Sequence, residues 1–274
     1  KFSRQEAGAV NRVAFLVMQP ALIFPLIASV PFHEFDLSAL GAYILCEVMS
    51  FGAGYAVARM VFKREHAEAW LLAMPVVFVN SLLYIWPISY LIYGEAAALP
   101  ITAIVAWDAS ISFAFFIITT DIIANPSAGI AAPLKRIATN PILIAIVLGA
   151  VVNLSRLPVP EPILTAMDFA GAGAAPLTLF ALGIILSGQS LVPTPTVLGI
   201  SALKLLVFPA LVLAALSAVG TEGHWKDLFV LNAAGPSGAM AFSLALLNGI
   251  RTDAVAPVII WTSTLSLISL AWLA

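Results

Sequence analysis

Apolar residues in this chain run in blocks of about twenty, the length a helix needs to cross the hydrocarbon core of a bilayer. Nine such blocks can be read, at roughly 12–31, 38–62, 69–93, 98–121, 138–155, 163–188, 196–219, 226–249 and 253–273. Turn formers separate them: Pro31, Gly94, Asn125-Pro126, Pro158 with Pro160 and Pro162, Pro193 with Pro195, and Gly220. Alternation of period two, the mark of barrel strands, is absent, so the pattern predicts an all-α membrane protein. Two blocks are interrupted by polar and helix-breaking residues, the third by Asn80-Ser81 and Pro87, the eighth by Gly235-Pro236-Ser237-Gly238. An unpaired backbone group in hydrocarbon costs several kcal/mol, so broken helix is tolerated only where it is buried in protein or lines a cavity.

Composition agrees with the pattern. The 274 residues are 62% hydrophobic and only 9% charged, with a mean hydropathy of +1.06. A soluble globule carries about a quarter charged residues. A net charge of -2 without a basic block gives no reason to expect nucleic acid as a partner. The single cysteine, Cys46, lies in an apolar run, which leaves neither a disulfide framework nor a cysteine metal site.

Basic residues orient the array. With the start of the chain in the cytoplasm, the inner connections hold Lys1, Arg4, Arg12, Arg59, Lys63, Arg64, Lys135, Arg136 and Arg251. The outer ones hold only Arg156 and Lys226. This is a positive-inside bias, and nine spans then place the C-terminus outside.

The two interruptions are 156 residues apart, Asn80 to Pro236, and the same offset aligns Pro20 with Pro176 and Phe24 with Phe180. An internal repeat follows, with 1–125 as the first unit and 126–274 as the second. The second has five spans and the first four, so one more helix is expected before Lys1. An odd number of spans per unit makes the two units opposite in topology.

Three ionisable residues fall inside apolar blocks: Glu47, Asp108 and Lys204. Intramembrane charges are costly and mark functional positions by default. Glu47 and Lys204 are 157 residues apart, on equivalent helices. Either they pair with one another, or one carries a coupling proton while Lys204 attracts an anion; Asp108 is a second candidate for the proton. No cofactor is expected, only a coupling H+ or Na+.

Several motifs carry a family resemblance. Asn140-Pro141, Gly149, Pro158, Ala175-Pro176-Leu177 and Leu179-Phe180-Ala181-Leu182-Gly183 resemble the middle of the auxin efflux carrier family, bacterial malonate-type permeases and plant PIN-formed carriers. Lys204-Leu205-Leu206 with Pro209 is similar to the family's next helix. Asn80 to Pro87 and Ala233-Ala234-Gly235-Pro236-Ser237 are similar to its two broken helices, and Pro20 to Phe24 to its second helix. The chain departs from the pattern at Leu82, Leu83, Tyr84, Ile85 and Trp86, where the family usually has small residues.

The resemblance implies a secondary transporter in which two broken helices cross near the midplane, the plan of the bile acid:sodium symporters. It also implies a scaffold from 12–31 and 138–188 and a moving core from 38–121 and 196–273. The substrate-binding set is then Asn80, Ser81, Tyr84, Pro87, Gly235, Pro236, Ser237 and Gly238. Half-helix ends and uncharged donors hold a small organic anion such as a carboxylate. Expected partners are that anion, the lipid of a bacterial inner membrane, and a second copy through the scaffold helices. A sodium-coupled symporter is the alternative. A remote one is an intramembrane serine protease, because Gly235-Pro236-Ser237-Gly238 resembles the rhomboid Gly-x-Ser-Gly. No histidine follows Ser237 to act as its base, however.

Overall fold

Helices in this chain begin where short polar residues accept the first free N–H groups. Ser3 and Glu6 form a reciprocal capping box, Asp36 accepts from Ser38 and Ala39, and Asn140 accepts from Ile142 and Leu143 ahead of Pro141. In a computed structural model, residues 3–127, 129–188, 192–251 and 253–273 are described, and Lys1 falls outside them. The described chain is helical throughout apart from its connections.

In order the helices are α1 (Arg4–Ser29), α2 (Leu37–Val61), α3 (His66–Val77), α4 (81–93), α5 (98–124) and α6 (Ala131–Ala138). There follow α7 (Pro141–Ser155), α8 (Glu161–Leu186), α9 (Pro195–Ala218), α10 (Gly223–Ala233), α11 (Met240–Leu247) and α12 (Val255–Leu273). Five helical runs among the described residues are long and apolar enough to cross a membrane, six if the pair α6–α7, bent by 60°, is one span. The run over Ser81–Ala124 is one of the five, and it joins two of the expected blocks. Gly94, at φ +58°, marks the junction between its helices α4 and α5. The first span starts at Arg4, earlier than residue 12, because the capping box supplies a helix start the apolar pattern does not display.

The two interrupted blocks are divided as the polar residues require. α3 stops at Val77 and helix resumes at Ser81; α10 stops at Ala233 and helix resumes at Met240. Prolines are also accommodated inside helices, at Pro25 and Pro75.

Close backbone approach ties α1, α7 and α8 together, as is usual where no hydrophobic force acts between helices in lipid. A Cβ on Gly149 would lie 3.0 Å from the Phe24 carbonyl oxygen, and one on Gly171 2.9 Å from Leu22 Cα. Asn153 donates its amide to the carbonyls of Ile27, Ala28 and Val30, closing the end of α1. These helices and the others gather round two apolar clusters. One holds Tyr43, Val79, Ile85, Phe208 and Phe229; the other holds Leu72, Met74, Phe78, Phe242 and Ile259. Phe78 and Val79 are consecutive, so the first break lies on the boundary between the clusters. Large apolar side chains such as Leu91 and Phe169 face outward, as a lipid-facing surface requires.

Candidate functional site

At the boundary of the two clusters the interruptions meet and pair with each other. Val79 and Ser237 form an antiparallel bridge. The Asn80 N–H donates to the Pro236 carbonyl at 3.0 Å, and the Gly238 N–H to the Phe78 carbonyl at 2.8 Å. Backbone groups that leave the helical ladder are thus satisfied by the opposite break. The glycines make this approach feasible: a Cβ on Gly238 would stand 3.0 Å from Phe78 Cδ1, and one on Gly235 2.4 Å from Ile85 Cδ1.

The proposed binding residues divide into two groups. Gly235, Pro236, Ser237 and Gly238 are all buried. Ser237 donates its hydroxyl to the Pro75 carbonyl at 2.7 Å, and its N–H goes to Thr262 Oγ1 at 3.2 Å, so its polar atoms are committed to the crossing. Asn80, Tyr84 and Pro87 are half-buried. Among the described residues the Asn80 carboxamide has no hydrogen-bond partner. Ser81, buried, donates to Asp108 Oδ2 at 3.4 Å.

Behind the crossing lie the three intramembrane ionisable side chains, all buried. Lys204 donates from Nζ to the Ala233 carbonyl at 2.6 Å, at the C-terminal end of α10, and lies 4.9 Å from the Phe208 ring centre. That helix end is where a cation is most favoured. Among the described residues no direct ion pair joins Lys204 to Glu47, the pairing that their repeat-equivalent positions suggest; the amine goes to the helix end instead. Glu47 accepts from the Trp107 indole N–H at 2.7 Å. Glu47 Oε1 and Asp108 Oδ1 have no partner among the described residues, although the two carboxyls approach one another and both feel Lys204. Ser81, Asp108 and Lys204 all lie in π-helical turns, Ser81–Ile85, Asp108–Ser112 and Leu203–Val207. Such turns recur at functional sites, where they re-aim a side chain out of the regular helical register.

Two polar pairs were missed in the sequence. Asn232 Nδ2 donates to the Tyr43 hydroxyl at 2.9 Å, with Asn232 Oδ1 left unpaired among the described residues. Gln19 Nε2 donates to Thr178 Oγ1 at 3.1 Å, joining α1 to α8. Each pair joins distant parts of the chain, and no local spacing announces either. Near the start of α3, Arg64 reaches Glu68, Asp253 and Thr196. The histidines His33, His66 and His224 are exposed, and among the described residues no group of His, Cys, Asp or Glu could hold a metal ion.

Apolar spans that enclose paired backbone breaks and intramembrane charge make an integral membrane protein built for passage of a solute. The family described as "Membrane transport protein", the auxin efflux carrier group, matches residues 1–273, and the chain belongs to it. It is a transporter and not an enzyme. The chain is 26% identical to a protein of Rhizobium meliloti (strain 1021) named "Putative malonate transporter", over 94% of this chain and 83% of that one. It is likewise 26% identical to an "Uncharacterized transporter" of Methanothermobacter thermautotrophicus, over 97% of this chain and 87% of the relative.

Proposed function

We propose that this chain carries a small organic anion of the carboxylate class across a bacterial inner membrane by alternating access, at a midplane site between the two broken helices. The observation that carries this reading is the hydrogen-bonded crossing, which leaves the Asn80 carboxamide unpaired among the described residues and half-buried beside it. An uncharged donor beside interrupted helix suits a carrier, which must release what it binds. The name of the Rhizobium meliloti relative supports a carboxylate. In this reading nine spans form an inverted repeat of the bile acid:sodium symporter kind, with the start of the chain cytoplasmic. The scaffold of 12–31 and 138–188 stays fixed in the bilayer, while the core of 38–121 and 196–273 shifts the site from one side to the other.

Coupling follows from the cluster behind the crossing. The carbonyl end of α10 is already taken by Lys204, which favours protons over sodium as the coupling ion. Asp108 is the proposed proton carrier: one carboxyl oxygen faces Ser81 of the first broken helix, and the other is unpaired among the described residues. Uptake of labelled malonate into proteoliposomes, with and without a pH gradient and sodium, tests both parts. Asn80→Ala is expected to abolish saturable uptake, and Asp108→Asn to abolish its pH dependence while leaving the fold intact. Saturable uptake unchanged in Asn80→Ala would remove the crossing from the mechanism, and unchanged pH dependence in Asp108→Asn would remove Asp108.

A further inference from the structure

The short helix α6 stands between two membrane helices, α5 and α7, and belongs to neither. Its eight residues are too few to cross a bilayer, and it is bent by 60° from α7, the helix it feeds. A helix turned that far from a span runs closer to the membrane surface than to its normal.

Its two sides differ. Pro133 and Ile137, one turn apart, face the protein: Pro133 is buried, and Ile137 packs on the apolar cluster of Phe78 and Phe242. Next to them Arg136 donates to Asp121, which is only 3% exposed near the end of α5. A carboxylate at a helix C-terminus opposes the helix dipole, and the guanidinium offsets that while tying α6 to α5. The outer side is open. Ile130 and Leu134, four positions apart and so on one side, are 54% and 50% exposed. Lys135 is exposed beside them, and its ammonium has no partner among the described residues.

The chemistry of that side selects its occupant. Helices before and after α6 also turn apolar side chains outward, Ile122 on α5 and Ile144 on α7, so Ile130 and Leu134 continue a lipid-facing surface. Arg136 is neutralised by Asp121, which leaves Lys135 as the free charge. A lysine stem lies along apolar surface while its ammonium reaches the headgroup level, where a phosphate of net negative charge is the complement.

We propose that α6 is an interfacial helix that binds an anionic phospholipid, with Ile130 and Leu134 in the acyl region and Lys135 on the headgroup phosphate. Arg136, through Asp121, is the positioning residue that fixes which side of α6 meets the bilayer. In the orientation that the basic residues predict, this lipid belongs to the cytoplasmic leaflet.

Titrating the full chain in mild detergent with phosphatidylglycerol or phosphatidylcholine, and counting bound lipid by native mass spectrometry, tests this. The wild type favours phosphatidylglycerol about fivefold, the effect of one lysine near an anionic surface, and the preference shrinks with added salt. Lys135→Gln, a change at an exposed position, removes the preference. Leu134→Ser weakens both lipids alike and leaves the ratio unchanged. Asp121→Asn lowers the preference with Lys135 intact, and Arg136→Gln takes its place if that variant does not fold. Equal binding of the two lipids by the wild type, or an unchanged preference in Lys135→Gln, would overturn the inference. So would a disulfide-linked dimer formed in membranes by Leu134→Cys in a Cys46→Ser background, because a second copy would then cover this side.

Discussion

Replacing Lys204 by methionine removes the Nζ donor while keeping an unbranched chain of similar length. Three contacts change. The Ala233 carbonyl loses its 2.6 Å partner at the buried end of α10, and an orphaned buried acceptor costs about 1–3 kcal/mol. The Phe208 ring loses the amine 4.9 Å from its centre, worth about 0.5–2 kcal/mol. Glu47 and Asp108 lose the neighbouring amine and keep their unpaired oxygens. The lost hydrogen bond and ring contact together cost about 1.5–5 kcal/mol, and for a chain of 274 residues each kcal/mol moves Tm by about 2 °C. Lys204→Met should therefore lower the melting temperature of the detergent-purified protein, followed by tryptophan fluorescence, by roughly 3–10 °C. A second change has a definite sign as well. Adding Asp108→Asn removes a carboxylate that no longer has a counter-charge, so the double variant should recover about 1–3 kcal/mol relative to the sum of the singles. A Lys204→Met protein that melts within about 2 °C of wild type would refute the capping role of Lys204, and a double variant whose losses simply add would refute its coupling to Asp108.

Gly171→Ala places a methyl 2.9 Å from the Leu22 backbone and should cost about 1–3 kcal/mol by denaturation, whereas Gly183→Ala, with nothing within 4 Å, should cost almost nothing; equal effects would contradict the close α1–α8 packing. Burial pushes the Asp36 carboxyl up, but hydrogen bonds from the Ala39 N–H and from the Ser38 hydroxyl and N–H outweigh it and hold the group below the ordinary carboxylate range. Its capping contribution is thus complete above the unfolded value of about 3.9 and is lost as pH falls through the lower folded value. Asp36→Ala should cost about 1 kcal/mol at neutral pH, with the gap to wild type closing below about pH 4; a gap independent of pH would exclude the cap. Ser237→Ala should destabilise by about 1–3 kcal/mol through the orphaned Pro75 carbonyl, and wild-type protein should not react with a fluorophosphonate probe; labelling at Ser237 would reopen the protease alternative.

The positions of both breaks were legible because proline, glycine and asparagine gathered inside an apolar block are poorly suited to a regular helical ladder, and a membrane offers no water to satisfy what the ladder leaves free. Asn80 and Pro236 accordingly lie at the crossing. What each residue does there was less legible. Ser237 reads as a substrate donor in the sequence, yet its hydroxyl serves Pro75, 162 residues away. Lys204 reads as half of an ion pair or as an anion trap, and it caps a helix end that only folding brings near. Tyr43 with Asn232, 189 residues apart, and Gln19 with Thr178, 159 apart, look like ordinary filler of apolar helices. Polar side chains in membrane helices declare that a partner exists, while the identity of that partner depends on tertiary contact. Starts of helices were partly legible, through Asn140-Pro141 for α7, but the apolar pattern hid the first turns of α1 because they are polar.

The bridge between Val79 and Ser237 couples segments that sit more than 150 positions apart in the chain. A force applied to either arm is transmitted to its counterpart through main-chain bonds, with no side chain as intermediary. The two arms are yoked, so under the alternating access proposed above a solute that grips only one of them would drag both.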